Sequence, residues 1–425
     1  MGLMSDLSIS NDWDRPLLYR DVYEQYAIDA AFLWLLRNIA IEQPHYKVQD
    51  VCELEQRIDA QLDGLMTSID LGWSVCQEGL DLQQSGEVFT AMVVAMRSHD
   101  IHKIQQAVEV GLNSKNCFSG LVSAMGWLPP DIADRWTERF LKGKDMDHKY
   151  LGLAICSVRR RDPGDVLTQL FEREECLQHE KLYSRALRLV GELRRQDCMP
   201  AINIAMRSEQ TTIHFWACWS AILLGHHNGV QQLKRYVFSD GPYQSKAIQQ
   251  AFRILPIVQA RQWISELSQD EDQIRAVIKA SGVLGDPHAI NWLIEKMREP
   301  SLAKLAGESF EYITGIDFSQ HQWSIQEKDG YQHYLDDETD DKPVELDEDE
   351  NLIYPNAEKV AAIWREHGQK FIAGRRYFLG QPITLALLKK TLVDGNQRQR
   401  HAAAMELALN ENDIQLPNTR ARILA

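Results

Sequence analysis

Four histidines are the first candidates for chemistry, because imidazole is a common metal ligand and general base. His99 and His102 are three residues apart, which would place them on one face of a helix, and His226 and His227 are adjacent. A zinc site needs three or four ligands, and neither pair has a cysteine or carboxylate nearby at ligand spacing. We therefore interpret both pairs as ordinary polar histidines and predict no metal site.

Motifs that identify enzymes are absent from the sequence. It contains no GxSxG nucleophile elbow, no P-loop, no Rossmann fingerprint and no HExxH zinc motif. The acidic run between residues 335 and 350 lacks the DxDxDG pattern of a calcium loop. These observations predict a protein that is not an enzyme, has no catalytic residues and needs no cofactor.

Composition limits the compartment and the partners. The seven cysteines are an odd number, are widely spaced and form no CxxC motif, so we expect reduced thiols in a cytoplasmic protein. The formal net charge of −15 would repel a phosphate backbone, which disfavours nucleic acid as a partner. A run of about 18 apolar residues and a signal-peptide pattern are both missing, so we expect neither a membrane segment nor export.

The stretch ASGVLGDPHAINWL, residues 280–293, predicts a tight connection between two helices. Gly285 can adopt the positive φ that ends a helix, and Asp286 can cap the next helix. Pro287 suits a first helical turn, where its missing N–H costs no hydrogen bond. The segment therefore predicts a helical hairpin whose elbow is Gly-Asp-Pro.

The same pattern recurs along the middle of the chain, in columns whose steps are close to thirty residues. The elbow column is Leu193, Leu224, Leu255 and Leu284, and the second-helix column is Ile202, Leu233, Ile264 and Leu293. Two further columns are Leu189, Ser220, Ala251, Ala280 and Met206, Val237, Ser268, Met297. Helix pairs that repeat every roughly 30 to 47 residues are typical of an α-solenoid, in which each hairpin buries its apolar face against its neighbours. We therefore predict an all-α fold of this kind.

The pattern divides the chain into four regions. We predict an N-terminal helical cap region at 1–85, the repeats at 86–317, an acidic loop or linker at 318–355, and a C-terminal helical region at 356–425. Within the second region, weaker copies of the hairpin precede the four clear ones, at 91–108, 118–141 and 150–171. In the fourth region, the breaker Asp394-Gly395-Asn396 predicts one more hairpin packed on the array.

Two charged segments leave alternatives open. The run 335–350 carries ten acidic residues and one lysine, so it is either a solvated spacer or an acidic segment that attracts a basic partner. The C-terminal region is basic, and its cations lie on a solvated helix face, balance that acidic charge or form a partner site. These cations are Arg375, Arg376, Lys389, Lys390, Arg398 and Arg400.

The repeats resemble HEAT repeats in their short, PBS-lyase-type form. The best single match is IRAVIKASGVLGDPHAINWLIEKM, residues 274–297, and the resemblance covers about residues 86–315. It implies an α-solenoid, with a helical cap before the repeats. A shared fold of this kind says less about function, because function depends on the site rather than on the architecture.

Two enzyme classes share the HEAT architecture. Deoxyhypusine hydroxylase builds a di-iron site from several His-Glu pairs at equivalent repeat positions, whereas this chain has only His179-Glu180. HEAT-like DNA glycosylases need a groove rich in lysine, arginine and aromatic residues, and here the exposed second-helix positions are mixed and polar. Trp216 and Trp219 lie in an apolar run and are expected in the core. Both enzyme classes are weaker alternatives to a non-enzymatic scaffold.

A scaffold that grips a protein partner is the function that these patterns favour. A solenoid offers a long, preformed surface, so a partner can bind over a wide area with little ordering cost. If the second helices line that surface, their exposed positions should carry the contact. The predicted partner-binding residues are Gln231, Arg235, Gln262, Glu266, Asn291 and Glu295, with Arg375 and Arg376 from the basic C-terminal region.

The ends of the chain are similar to a bacterial family whose members tend to be encoded near type VI secretion loci. The similar segments are EQYAIDAAFLWLLRN, LEQRIDAQLDGL at 54–65, GRRYFLGQP at 374–382 and RQRHAAAMELAL at 398–409. The resemblance implies a cytoplasmic protein that is an adaptor or chaperone for a secretion effector or spike component, or an immunity protein that neutralises a secreted toxin. We favour the adaptor and leave the oligomeric state open.

Overall fold

The computed structural model describes residues 19–318, 324 and 348–423. This part of the chain forms 22 α-helices, together with short 3-10 turns and one two-stranded β-hairpin. The predicted all-α class is therefore confirmed, and neighbouring helices pack on one another as they do in an α-solenoid. Residues 335–347 of the predicted acidic loop lie outside the described residues.

The chain divides into two compact units. Among the described residues, unit 1 takes in the chain up to Ala40, then Gln49–Arg159, and the tail from Ala421. Unit 2 takes in Ile41–Val48 and the described part of Arg160–Arg420. The division falls inside the range predicted for the repeats, whereas the sequence analysis placed its boundaries after residues 85, 317 and 355.

Unit 1 consists of helices joined mainly by short turns. They are α1 (Arg20–Ala40), α2 (Val48–Met66), α3 (Ile69–Gly79), α4 (Ser85–Ser98), α5 (Ile101–Asn113), α6 (Lys115–Trp127), α7 (Pro130–Lys142) and α8 (Met146–Arg159). Helix α1 packs on α3 and α4, while α4 packs on α5 and α6. Helix α8 follows, packed on α6 and α7.

The elbow between α4 and α5 corrects one prediction. His99 ends α4 with a φ of 58°, and Asp100 then caps α5 by accepting a hydrogen bond from the His102 amide at 2.8 Å. His99 therefore stands outside the helix that holds His102, and the two imidazoles do not share a helical face. Helix α2 contains Gly64 close to its end and continues to Met66, and a Cβ on Gly64 would lie 2.8 Å from the Tyr26 ring.

Unit 2 holds the clear repeats and the C-terminal region. Its first elements are α9 (Asp165–Glu172), α10 (Glu174–Gln178), α11 (Glu180–Leu193), α12 (Met199–Ala205), α13 (Thr211–Leu223), α14 (Gly229–Val237), α15 (Gln244–Ile254), α16 (Ile257–Leu267), α17 (Ile274–Leu284), α18 (Ile290–Lys296) and α19 (Pro300–Thr314). The C-terminal region adds α20 (Ala357–His367), β1 (Tyr377–Phe378), β2 (Gln381–Pro382), α21 (Leu385–Asp394) and α22 (Gln397–Asn410).

The predicted elbow column is confirmed. Each of its four leucines lies at the end of α11, α13, α15 or α17 and is at most 4% exposed. Gly285 has the expected positive φ of 72°, and Asp286 accepts a hydrogen bond from the His288 amide. We call α11, α13, α15, α17 and α19 the first helices, and α12, α14, α16 and α18 the second helices.

The second-helix columns need a correction in α16. Trp263 is 2% exposed, whereas Ile264 is only half-buried, so Trp263 occupies the position that corresponds to Leu233 and Leu293. Likewise, Leu267 is buried and Ser268 is exposed. The true steps around this repeat are thus 30 residues. The predicted positions were one residue too far along the chain. By residue type alone, Ile264 and Ser268 fitted the columns of apolar or small residues as well as Trp263 and Leu267 do.

Small residues let the first helices approach each other closely. A Cβ on Gly191 would lie 2.5 Å from the Ser220 hydroxyl, and one on Gly282 would lie 2.7 Å from the Ser309 hydroxyl. The same two serines donate hydrogen bonds to backbone carbonyls of the preceding first helix, at 2.7 Å and 3.1 Å. Buried hydroxyls are therefore satisfied at the tightest contacts.

The C-terminal region folds back onto the first helices. Helix α22 packs on α13 and α15, and the amide of Tyr377 in β1 donates to the Gly285 carbonyl at 2.8 Å. A Cβ on Gly285 would lie 2.3 Å from the Tyr377 carbonyl oxygen, so this elbow glycine is needed for the close approach as well as for its φ. We call the side of the first helices that the C-terminal region covers the first-helix face.

The described end of the predicted acidic linker is not an exposed spacer. Asp349 and Leu352 are 6% and 7% exposed, and Asp349 pairs with Arg275 on α17 at 2.5 Å. Glu348 pairs with Lys279 at 2.5 Å. The prediction of a solvated loop is therefore wrong at Asp349 and Leu352, because contacts with α17 hold this end of the run, whereas Glu348, Glu350 and Asn351 remain exposed.

Two predictions from composition have structural counterparts. All seven cysteines are free, and six of them are buried. None of the described helices combines the length and the apolar character that a bilayer-spanning segment requires.

Candidate protein-interaction surfaces

The second helices of unit 2 present the predicted partner-binding positions as a row. Gln231 and Arg235 lie one turn apart on α14, and Asn291 and Glu295 occupy the equivalent positions on α18. Gln262 and Glu266 are also one turn apart on α16, but they stand one residue after the equivalent positions, as the corrected column requires. We call these six residues the second-helix row: Gln231, Arg235, Gln262, Glu266, Asn291 and Glu295. All are exposed except Glu266, which is half-buried. The structure thus leaves these positions open to a partner, and their role in binding stays a prediction.

Ion pairs and aromatic rings stiffen the row. Lys234 pairs with Glu266 at 2.5 Å, and its ammonium lies 5.1 Å and 5.6 Å from the ring centroids of Phe238 and Trp263. Hydrogen bonds from Lys234 and Gln262 lower the pKa of Glu266. Pairing and ring contact limit the motion of long side chains, which reduces the entropy that a partner would have to remove.

The first-helix face is built around a buried carboxylate. Glu406 on α22 is 4% exposed and lies 3.1 Å from Arg253 on α15 and 2.8 Å from Arg376. Arg376 also donates to the carbonyl oxygens of Arg253 and Leu284, at 2.7 Å and 3.1 Å. We call Arg253, Arg376 and Glu406 the Arg-Glu cluster. It ties α15, the loop before β1 and α22 together inside unit 2.

Electrostatics in the Arg-Glu cluster favour structure over catalysis. Burial lowers the pKa of Arg253 to about 10, which Glu406 partly offsets, so the guanidinium stays charged at neutral pH. The cluster borders a cavity of about 20 Å³, which Gly282 and Tyr312 help to line. A space of that size holds about one water molecule, whereas pockets for organic ligands are about 300 Å³ or larger.

The predicted basic partner residues of the C-terminal region separate into two groups. Arg375 is exposed, but Arg376 belongs to the Arg-Glu cluster with only 18% of its side chain exposed. Arg398 points inward as well, pairing with Glu308 at 2.9 Å. Lys389 and Lys390 are exposed on α21. We therefore keep Arg375 in the predicted partner surface and leave Arg376 out of it.

A cysteine and a histidine meet in unit 2 in a way that the sequence analysis did not single out. Cys218 Sγ lies 3.6 Å from His214 Nδ1, one turn apart on α13, and that nitrogen is 2.9 Å from the Tyr236 hydroxyl. Burial raises the pKa of Cys218 to about 12 and lowers the pKa of His214. A nucleophilic cysteine needs the opposite shift, so this contact is a packed polar pair rather than a catalytic one. The four-residue separation of His214 and Cys218 in the sequence was the feature that could have predicted this contact.

The remaining histidine candidates have local roles. His179 caps α11, because its Nδ1 accepts a hydrogen bond from the Leu182 amide at 3.2 Å. His226 and His227 are exposed at the elbow between α13 and α14, as the sequence suggested. Within the described ranges, no group of three or more histidine, cysteine, aspartate or glutamate residues is arranged to hold a metal ion.

Unit 1 carries an apolar surface on the helix that the sequence placed in the N-terminal cap region. Ile28, Phe32 and Leu35 lie on the outer side of α1 and are 62%, 61% and 48% exposed. We call these three residues the α1 stripe. Residues 23–41 are apolar almost all round in sequence, a pattern that fits either a buried cap on the first repeat or a binding site, and the cap is the more usual of the two. Only one side is buried, through residues such as Ala30 and Trp34.

Comparisons with known proteins add little to this picture. The sequence matches no family model and no curated protein. Among solved structures, a chain described as an engineered protein is 13% identical to this one. The matched region spans 70% of this chain and 95% of the engineered chain. Its TM-score is 0.30, which is too low to support any conclusion about fold or function.

Proposed function

We propose that the chain is a non-enzymatic scaffold that binds another protein through the second-helix row of unit 2. The observation that carries this proposal is the difference between the two sides of the repeats. The C-terminal region of the chain covers the first-helix face, whereas three successive second helices keep polar positions exposed. A partner therefore finds the second-helix row open and already ordered.

The chemistry of the row indicates the kind of partner. It presents one arginine, two glutamates and three amide side chains, and Lys234 lies beside it. Such a surface complements a polar protein face that carries both signs of charge. It lacks the run of cations that neutralises a nucleic acid backbone. A folded protein domain is thus the partner that this surface favours.

The biological role that we propose comes from the family resemblance of the chain ends. In this view the protein acts in the cytoplasm as an adaptor or chaperone for a type VI secretion effector or spike component. The second candidate is an immunity protein. It is favoured by the net charge of −15, because an acidic protein associates rapidly with a basic toxin such as a nuclease.

Affinity capture tests the proposal. The full chain is used as bait in a host with active type VI secretion, followed by mass spectrometry. The triple variant Gln231→Lys, Gln262→Lys and Asn291→Lys should lose the captured partner, because it places three cations in the row. The matched control is Gln105→Lys, Gln106→Lys and Asn113→Lys, at exposed positions of α5 in unit 1, and it should retain the partner. Equal capture by both triple variants would overturn the proposal.

The two biological roles are separated by a growth assay. Co-expression with the captured effector should restore growth if the protein is an immunity protein, because the toxin domain is then blocked. An adaptor should leave toxicity unchanged and should instead be required for loading or secretion of the effector. Capture of DNA, or stoichiometric iron or zinc in the purified protein, would contradict both roles.

A further inference from the structure

The α1 stripe has the spacing of a helix-docking surface. Ile28, Phe32 and Leu35 stand at i, i+4 and i+7, so they form one continuous line along a 21-residue helix. The opposite side of α1 packs on α3 and α4, which makes this helix apolar on both sides. Exposed apolar patches of this kind mark interaction sites in folded proteins.

Charges beside the stripe indicate what would cover it. Asp21 lies two turns before Ile28 on the same line, and Asp29 lies one turn before Phe32. Asp21 is exposed, and Asp29 accepts a hydrogen bond from Gln25 at 2.7 Å. Across residues 19–318, 324 and 348–423, the structure records no ion pair for either aspartate. Among the residues that the structure describes, the stripe therefore carries two carboxylates with no cation paired to them.

The arginines of α1 cannot supply that cation. Arg20 pairs with Glu24 at 2.8 Å and with Glu78 at 2.5 Å. Arg37 is 4% exposed and pairs with Glu55 at 2.8 Å, on the buried side of the helix. Neither arginine of α1 is therefore available to Asp21 or Asp29, and a partner that brings its own cations would neutralise both.

We propose that the α1 stripe docks an amphipathic α-helix of a partner protein, whose apolar side chains cover the stripe and whose flanking lysines or arginines meet Asp21 and Asp29. Helices recognise one another through apolar anchors at i, i+4 and i+7. Opposite charges at the rim fix the register and the orientation of such a pair. Because the stripe shares no residue with the second-helix row, this inference does not depend on the function proposed above.

A second copy of α1 fits this surface less well. In an antiparallel pair centred on Phe32, the Asp29 carboxylate of each copy would be desolvated against Leu35 of the other. In a parallel pair, the two Asp29 carboxylates would face each other, and like charges in close contact repel. Neither arrangement provides a cation, so a basic partner helix satisfies the surface better than self-association does.

Peptide binding to the full-length protein tests the inference. The probe is a fluorescein-labelled synthetic helix with leucines at i, i+4 and i+7 and lysines at the flanking positions. The matched control peptide replaces each lysine with glutamate. We expect the lysine peptide to bind at least about tenfold more tightly in fluorescence anisotropy, and its affinity to fall as salt is added.

Variants locate the binding site. Phe32→Asp should weaken binding of the lysine peptide by about tenfold or more, since a central aromatic anchor is lost. Its side chain is 61% exposed, so the fold should persist, as circular dichroism can check. Asp21→Lys combined with Asp29→Lys should reverse the preference toward the glutamate peptide. Gln105→Asp, at an exposed position of α5 outside both surfaces, should leave binding of the lysine peptide unchanged.

Four outcomes would overturn the inference. They are equal affinity for the two peptides, no binding of the lysine peptide, a concentration-dependent dimer that Phe32→Asp abolishes, and preferential binding to anionic phospholipid vesicles. The third outcome would assign the stripe to self-association, and the fourth would assign it to a membrane surface. If the variants of the second-helix row captured the partner as well as the wild type does, the proposed function would fail, but the peptide-binding result for the α1 stripe would still stand. The two proposals can therefore fail separately.

Discussion

The two sides of the repeats in unit 2 bury their charges to different degrees. On the first-helix face, Glu406 is 4% exposed and sits between Arg253 and Arg376. On the second helices, Glu295 pairs with Arg298 while both side chains remain largely in water. An ion pair of the same kind thus contributes differently to stability on each side, because water cannot solvate a buried charge that has lost its partner.

This difference separates residues that hold unit 2 together from residues that are free to bind. Removing one partner of a buried pair leaves an uncompensated charge in a medium of low polarity, so the fold loses stability. Removing one partner of an exposed pair costs little, because water and salt replace it. Substitutions on the first-helix face should therefore affect unfolding, whereas those on the second-helix row should affect binding.

The largest effect is expected for Glu406→Ala. The variant removes the carboxylate that the guanidinium groups of Arg253 and Arg376 share, and it leaves both cations without that ion pair. We expect the free energy of unfolding to fall by about 3–5 kcal/mol, measured by urea denaturation. Lys142→Ala, which breaks an exposed i, i+4 pair with Glu138, is the control and should leave the denaturation midpoint unchanged. A loss below about 1 kcal/mol for Glu406→Ala would show that the cluster is not structural.

Acidic pH should weaken unit 2 through His401 on α22. Burial, with the nearby charge of Arg420, lowers the pKa of His401 to about 4. The neutral imidazole donates to the Ile41 carbonyl at 2.7 Å and contacts the Thr419 hydroxyl. Because the unfolded pKa is about 6.5, this stabilisation is complete above pH 6.5 and is lost as the pH falls toward 4, by at most about 3 kcal/mol.

The control for this titration is His401→Gln, which keeps a hydrogen-bond donor and an acceptor but does not titrate. The difference in unfolding free energy between the wild type and the variant should narrow as the pH is lowered from 7 to about 4.5. Other groups titrate in the same range, including Glu311, and their effects cancel in the comparison. A pH-independent difference would contradict the neutral buried state of His401.

A smaller effect is expected for Gly282→Ala on α17. The added Cβ would lie 2.7 Å from the Ser309 hydroxyl and 3.0 Å from its Cα, so α17 and α19 must separate slightly. The overpacking cost exceeds the gain in helix propensity, and we expect a net loss of about 1–2 kcal/mol in a thermal or urea melt. Combining it with Ser309→Gly should recover part of the loss. A stabilised single variant would mean that the first helices are not tightly packed.

The smallest effect is expected for Glu295→Ala on the second-helix row. The variant removes an exposed pair with Arg298, and Arg298 keeps Glu358 as a partner at 3.0 Å. The Tm should therefore stay within the error of a thermal scan. If it fell as far as in Glu406→Ala, the distinction between a structural side and a binding side of unit 2 would be lost.

Most of the fold of unit 2 was accessible from the sequence. The elbow leucines recur at nearly constant spacing because each hairpin must bury an apolar face of the same kind against its neighbours. The one-residue error at Ile264 has a physical cause, since Trp263 and Ile264 are both apolar and periodicity alone cannot choose between them. In the C-terminal region, the hairpin 377–382 was missed because Leu379-Gly380 forms its turn through left-handed residues, and only Gly380 signals that conformation.

The candidate surfaces were only partly accessible. The positions of the second-helix row on α14 and α18 followed from the period, because exposed positions stand opposite buried ones on each helix. Its two residues on α16 carry the same one-residue error as Ile264. The α1 stripe could not be separated from a buried cap, since a sequence that is apolar all round does not say which side will be covered. Arg376 was placed in the partner surface because its pairing with Glu406 spans 30 residues and leaves no local signal.

What the sequence determined by itself is the helical hairpin, its period and its elbows, because backbone conformation and burial pattern are local consequences of residue type and spacing. What only the tertiary structure decided is which surfaces remain open: the C-terminal region covers the first helices, and the outer side of α1 stays exposed. That choice depends on contacts between residues far apart in the chain, and the free energy of such contacts is set by geometry rather than by order along the sequence.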